Sequence, residues 1–419
     1  MPKVYRVSLA AIAVVMSAFQ QTPTPPASHL ADPFATGWML VDTNGDGIAD
    51  FIEGKVVVPT RSSEAENAAA ANLAARLGYG STGITLPLVV NSSDGTGPRI
   101  WVGKDALPPA LSAEAAAWIA KLQKEEGGIF ALGTGLAVLG ADDEGLLAAA
   151  EAYSARAPYQ WKLAGDRLAQ LGDIAGVTYA RGKAGVNRAF PRTGDPVVFA
   201  PPGAPAAAPP AAPAADATGN PPPKLDLASL YTSRGLFTGT PRMPVPSTLD
   251  AHLYVPAGAA GVAMANLAAR MGMETTGISL PLASPASKAA VRDVRLKAVI
   301  AGNSPVAQEA ERKLHAPSES ALGPGEGELN IVDDAFTRRP AVLVRGDETG
   351  SAAALQLLSG HLPNLWETGK QHASLEELRY DLHRFFSTRS SAGQVSAAMY
   401  HLERWSKEIG AGATDVSAE

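Results

Sequence analysis

A chain of 419 residues that is 46% hydrophobic has room for two or three domains, each with a buried core, and excludes a disordered protein. A formal net charge of -6 and the lack of any Lys/Arg run exclude a broad nucleic-acid surface, which needs clustered cations to displace counterions. With no cysteine there is neither a disulfide framework nor a lipidated cysteine anchor.

In chain order, residues 1–20 carry Lys3 and Arg6, then the apolar run Val7 to Phe19, then a polar, Pro-rich stretch. This is the pattern of an export signal: the run is too short to cross a hydrocarbon layer of roughly 30 Å. No later segment is long and apolar enough for a membrane helix. The expectation is a periplasmic or extracellular protein with no integral membrane segment after signal cleavage.

The first module is expected over residues 36–199. Trp38 to Val41 and Val56 to Val58 are strand-like. Between them, DTNGDGIADFIE fits the calcium-loop pattern at every specified position. Asp42, Asn44 and Asp46 place oxygens at alternate residues and Gly47 allows the sharp turn. Ile48 would offer its carbonyl, Asp50 a direct or water-bridged contact, and Glu53 both carboxylate oxygens. Calcium is therefore the expected cofactor, since four carboxylates in twelve residues repel one another unless neutralised. The alternative is a metal-free Asx turn between strands. The strand-like flank before the loop departs from a helix-loop-helix frame.

Ser63 and Glu66 form a capping box, and Ala65, Ala69, Leu73 and Leu77 give the following helix one narrow apolar face, ended at Gly78. Ile84 to Val90 is extended, but Pro87 lacks a ladder donor and makes it an edge strand or loop. Ile100 to Val102 (strand), Ser112 to Leu122 (helix), Leu136 to Leu139 (strand) and Glu144 to Ala155 (helix) follow.

Residues 200–224 are a Pro/Ala-rich linker: Ala200 to Pro223 hold nine prolines and ten alanines and no large apolar residue. Such a segment reads as a tether spanning up to roughly 70 Å. The second module, residues 225–370, repeats the pattern with Leu253 to Val255, a helix through Met271, Leu296 to Ile300, Val306 to Leu314, Ala341 to Val344 and Ser351 to Leu358. A helical hairpin is expected over 371–410, opened by Ser374 and Glu377, with a polar tail and no further strand.

The two modules echo each other in sequence. Ala71 to Leu88 returns as Ala265 to Leu282 with 13 of 18 positions identical, and residues 137–161 are answered by residues 341–366. Alternating strands and helices, twice over, predict an α/β fold of two mixed or mostly parallel sheets covered by helices.

Other motifs carry less chemistry. Gly78, Gly80 and Gly83 spell a dinucleotide fingerprint, but they follow a helix and open an extended run, the reverse of what pyrophosphate binding needs. The turns GADDEG and GDETG place carboxylates at helix starts, where they cap the helix and repel phosphate. The seven histidines show no metal-ligand pair, and no nucleophile elbow or zinc-protease pair is present. Trp161 and Trp366 close the last helix of each module as core lids or, alternatively, as sugar-stacking platforms.

IWVG (Ile100 to Gly103), the helix Ser112 to Leu122 and LAVLGADDEGLLAAA (Leu136 to Ala150) resemble the non-catalytic α/β domain that precedes the barrel of β-hexosaminidases and α-glucuronidases. They also resemble the repeated domains of the periplasmic cellulose synthase subunit. The resemblance implies a fold and a polysaccharide setting; without a barrel, no active site carries over. The expected function is an exported, non-catalytic binding or scaffolding protein of the cell envelope, associated with polysaccharide or another envelope protein and carrying structural calcium. The alternative is an accessory or substrate-docking region of an envelope hydrolase or peptidase.

Overall fold

The computed structural model describes Leu30 and residues 33–360 except 93–95, 157–167, 169, 183–185, 200–223, 228–229, 233–234, 241–242, 315–321 and 338, and also residues 372–374 and 415–417. The expected signal segment, almost all of the Pro/Ala-rich stretch, both Trp161 and Trp366, and nearly all of the expected helical hairpin lie outside the described residues.

The first lobe runs β1 (Leu40–Val41), β2 (Phe51–Ile52), β3 (Lys55–Val57), α1 (Glu64–Tyr79), β4 (Val89–Val90), β5 (Arg99–Val102), α2 (Ser112–Ile119), β6 (Glu126–Leu132), β7 (Gly135–Gly140), α3 (Asp143–Arg156), β8 (Ile174–Ala180), β9 (Arg188–Pro191) and β10 (Val197–Val198). The second runs β11 (Phe237–Thr240), β12 (Met243–Leu249), β13 (Ala251–Val255), α4 (Gly258–Met273), β14 (Ala283–Pro285), β15 (Lys297–Ala301), α5 (Pro305–Arg312), β16 (Gly327–Phe336), β17 (Arg339–Gly346) and α6 (Glu348–Gly360). A ribbon of β18 (His372–Ser374) and β19 (Asp415–Ser417) ends the chain. This corrects one expectation: the polar tail does contain a strand, because its backbone finds a partner far upstream that a local reading does not reveal; Ser374 lies in β18, and the helix expected to follow it lies outside the described residues.

The protein is α/β, with parallel strands at the heart of both large sheets. The second lobe has the order β14-β13-β15-β17-β16, in which only β16 is antiparallel. The first lobe repeats that order as β4-β3-β5-β7-β6, and then adds β8, β9 and β10 beyond β6. Apolar, β-branched runs such as Arg99–Val102 and Lys297–Ala301 form the central strands, buried on both faces as parallel strands are. The short β4 is an edge strand, as Pro87 predicts, and the Leu86–Pro87 and Leu280–Pro281 bonds before β4 and β14 are both cis. No helix among the described residues is long and apolar enough to cross a membrane.

Helix α1 departs from its expected single apolar face. It has the Ser63–Glu66 capping box, but is buried nearly all round, from Ala65 through Gly78. The reason is a second neighbour: α4, from the second lobe, packs against it. A helix apolar on every side belongs in a core. α3 packs on α1, α1 on α4 and α4 on α6, so one row of four helices joins the lobes, and the largest hydrophobic cluster holds residues of both.

The α1–α4 contact is reciprocal. A side chain on Gly78 would meet the Ala269 carbonyl oxygen at 2.0 Å, and one on Gly272 would meet that of Ala75 at 2.0 Å. Only glycine permits this backbone approach. Asn266, on α4, reaches the outer edge of β4: its Oδ1 accepts from the Leu88 and Val89 amides at 2.7 and 2.8 Å, and its Nδ2 donates to the Val89 carbonyl at 3.0 Å. Asn72, on α1, does the same to β14, accepting from the Leu282 and Ala283 amides at 2.8 and 3.0 Å and donating to the Ala283 carbonyl at 3.0 Å. Each carboxamide thus stands in for one residue of a further strand. Both asparagines are buried, where an unpaired amide is expensive and a satisfied one is specific.

Candidate functional site

The calcium-type loop is the turn of the β1–β2 hairpin, in which Leu40 faces Ile52 and Val41 faces Phe51. Strands therefore flank it on both sides. Asp42 gathers the turn: Oδ1 accepts from the Gly45 amide at 2.7 Å and Oδ2 from the Gly47 amide at 2.8 Å. Gly47, at φ 84°, makes the bend that an L side chain resists. Asn44 Oδ1 accepts from the Asp46 amide at 2.9 Å, and Asp46 Oδ1 from the Ile48 amide at 2.8 Å. Asp50 is buried, its Oδ2 accepting from the Thr43 amide at 2.7 Å and the Thr43 hydroxyl at 2.6 Å. Glu53 is exposed, with its amide bonded to the Met39 carbonyl. The oxygens match a hard cation in kind and order, but in this arrangement they serve the loop's own amides. Among the described residues no group of three acidic or imidazole side chains is arranged to hold a metal ion.

The two carboxylate-rich turns act as helix caps. Asp142 Oδ1 accepts from the Gly145 amide at 2.8 Å and Asp347 Oδ1 from the Gly350 amide at 2.7 Å. Asp142 Oδ2 also accepts from the Glu125 amide, and Asp347 Oδ2 from that of Gly325. These amide bonds hold both carboxyls below the usual carboxylate range, against some desolvation that is the largest single influence on Asp142. Gly78 and Gly80 end α1, so the glycine pattern there meets no phosphate-binding helix start.

A groove that sequence reasoning missed opens on the outer face of the first sheet. Its volume is about 770 Å³, and Trp118, Lys121, Ala175, Arg188, Phe190 and Arg192 contribute to its lining. Glycines beneath it make room for the aromatic cluster. A side chain on Gly128 or Gly176 would sit 2.5 or 2.3 Å from the Phe130 ring, so their absence lets that ring lie across β6 and β8. Trp118, from α2, stacks on Phe130 with centroids 4.7 Å apart and meets Phe190 edge-on at 5.4 Å. Lys121, one turn further along the chain, puts Nζ 4.2 Å from the Trp118 centroid, a cation–π contact.

Charge anchors one wall. Glu126 is buried, and Arg188 donates Nε to its Oε1 at 3.1 Å and Nη2 to its Oε2. Burial pushes the Glu126 carboxyl up, but the bonds from Arg188, the Gln123 amide and the Thr178 hydroxyl outweigh it and hold the carboxyl below its ordinary range. The pair fixes the guanidinium against Phe190, 5.3 Å from that ring's centroid. Arg192 pairs more loosely with Asp173 at 2.8 Å, both largely exposed. The pattern Arg188, Phe190, Arg192 has the period of two that puts alternate residues on one face of a strand, and that was its signal in the sequence.

In the second lobe, half-buried His252 places Nε2 2.8 Å from the Ser284 hydroxyl, across β13 and β14, with the Tyr254 ring against it at 5.0 Å. Burial lowers its pKa from 6.5 to about 4, so the ring is neutral at physiological pH. Compared with family models, curated proteins and solved structures, the chain matches none.

Proposed function

We propose that this protein is an exported, non-catalytic binding and scaffolding component of the cell envelope, associated with polysaccharide and carrying structural calcium in the Asp42–Glu53 loop. The observation that carries the reading is the reciprocal α1–α4 contact. It makes two sheets into one stiff body, which suits a protein that presents surfaces at fixed separation. The outer groove of the first lobe supports a binding role, since its volume lies within the roughly 300–1,000 Å³ of small-ligand sites. Calcium would be held by Asp42, Asn44, Asp46, Asp50 and Glu53 with the Ile48 carbonyl, and would neutralise a crowded turn at the edge of the core.

The experiment is a thermal melt in calcium and in chelator, run beside a glycan array with the secreted chain. A melt that rises in calcium, and falls for Asp46→Ala only when calcium is present, supports the metal; coincident curves remove it. Retention of at least one glycan class supports the binding role, whereas an empty array combined with capture by an envelope hydrolase would favour an accessory region of such an enzyme.

A further inference from the structure

We propose that the groove between α2 and strands β8 and β9 binds a carboxylated saccharide, with Lys121, Arg188 and Arg192 receiving the carboxylate and the proline surfaces of Pro191 and Pro196 receiving the sugar ring. This deepens the polysaccharide reading and rests on it. The lining is rich in donors and poor in side-chain acceptors. Lys121 Nζ meets two aromatic rings and, among the described residues, no carboxylate. Arg188 spends Nε and Nη2 on Glu126 and on the Lys121 carbonyl, which leaves Nη1 without a hydrogen bond among the described residues. Arg192 binds Asp173 through Nε, so its two terminal nitrogens remain for a ligand. Asp173 is itself more than half exposed, so that pair is a weak competitor.

Donors that converge beside apolar surface call for an anion carried on a compact apolar frame. A carboxylate takes a guanidinium in bidentate fashion, and sugar C–H groups pack on Pro191 and Pro196, because Phe130 and Lys121 already cover the Trp118 ring. A peptide would be recognised through its backbone and would want a ladder of free amides and carbonyls; the lining offers side chains instead. The buried Glu126–Arg188 pair holds one donor in place before any ligand arrives, which lowers the cost of ordering on binding.

The test is calorimetric titration of the secreted full-length chain with hexagalacturonate, with neutral cellohexaose as control, at two salt concentrations. The double variant Lys121→Gln, Arg192→Gln leaves the buried Glu126–Arg188 pair intact, and its melt should match the parent. Hexagalacturonate should bind, more weakly at high salt, and the double variant should lose at least about tenfold in affinity because it removes two charged donors. Binding of cellohexaose alone would overturn this assignment while leaving the wider polysaccharide reading intact, and binding of neither sugar would overturn it too, with the glycan array then deciding the wider reading. Hexagalacturonate affinity unchanged in the double variant would also overturn it. So would tighter binding, lost in the variant, of a hexapeptide with a free carboxyl terminus.

Discussion

At the scale of single residues, His252 has the most direct consequence in solution. Its folded pKa of about 4 lies below its ordinary 6.5, so the folded state prefers the neutral ring. The stability this represents is complete above about pH 6.5 and is lost as pH falls toward the folded value. Glu66 and Glu151, both raised chiefly by burial, work the other way, because folding makes them bind protons more readily. The readout is therefore a difference: the melting temperature of the protein minus that of His252→Gln should fall between about pH 7 and pH 5, where ordinary carboxylates remain ionised. A difference that stays flat would show that the ring is not held neutral. Residues whose partners are close in sequence were legible beforehand: Ser63 and Glu66 formed the expected capping box, and Asp142 and Asp347 cap their helices. Asn72 and Asn266 were not, since each serves a strand in the other lobe, about two hundred positions away.

At the scale of elements, the carboxamides that complete β4 and β14 make a paired prediction. Asn266→Ala leaves two amides and a carbonyl of the first lobe's edge without partners, and Asn72→Ala does the same to the second. An orphaned buried group costs about 1–3 kcal/mol. Either variant should lose at least about 2 kcal/mol in urea unfolding, with Asp no better than Ala because it keeps the acceptor but loses the donor. A loss well under about 1 kcal/mol for both would mean water completes the edges as well as the asparagines do. Strands made of apolar runs were readable, and so were the helices between them. Among the strands that escaped, β6, β8, β9 and β16 carry glycines or polar residues at the positions that would show alternation. Gly127 and Gly128 in β6 are there because the start of α3 and the Phe130 ring come too close for a side chain. β16 is an edge strand, largely half-exposed or exposed, so its alternation is blurred.

At the scale of the whole molecule, the sequence suggested two beads on a tether, and the lobes instead share a core. Helices α1 and α4 were legible as helices; that they pack on each other needed the reciprocal glycines to be seen in place. Cutting the chain at a protease site inserted between Ala200 and Pro223 should consequently leave a complex that elutes at the intact size and melts close to the intact temperature. Two fragments that separate at micromolar concentration would show the row of helices too weak to hold without covalent linkage. The Asp42–Glu53 loop and the outer groove both belong to the first lobe, so the second lobe's role in the proposed reading is to brace it.

The exchanged asparagines also set a schedule for synthesis. β4 leaves the ribosome long before Asn266 exists, and Asn72 waits for Ala283, so neither sheet can be finished until well over half of the polypeptide has been made. In that interval the nascent first lobe carries an open margin of the kind that recruits strands from other chains. Until both are made, a protein assembled this way gains from a chaperone, and each half then acts as the other's guard against aggregation.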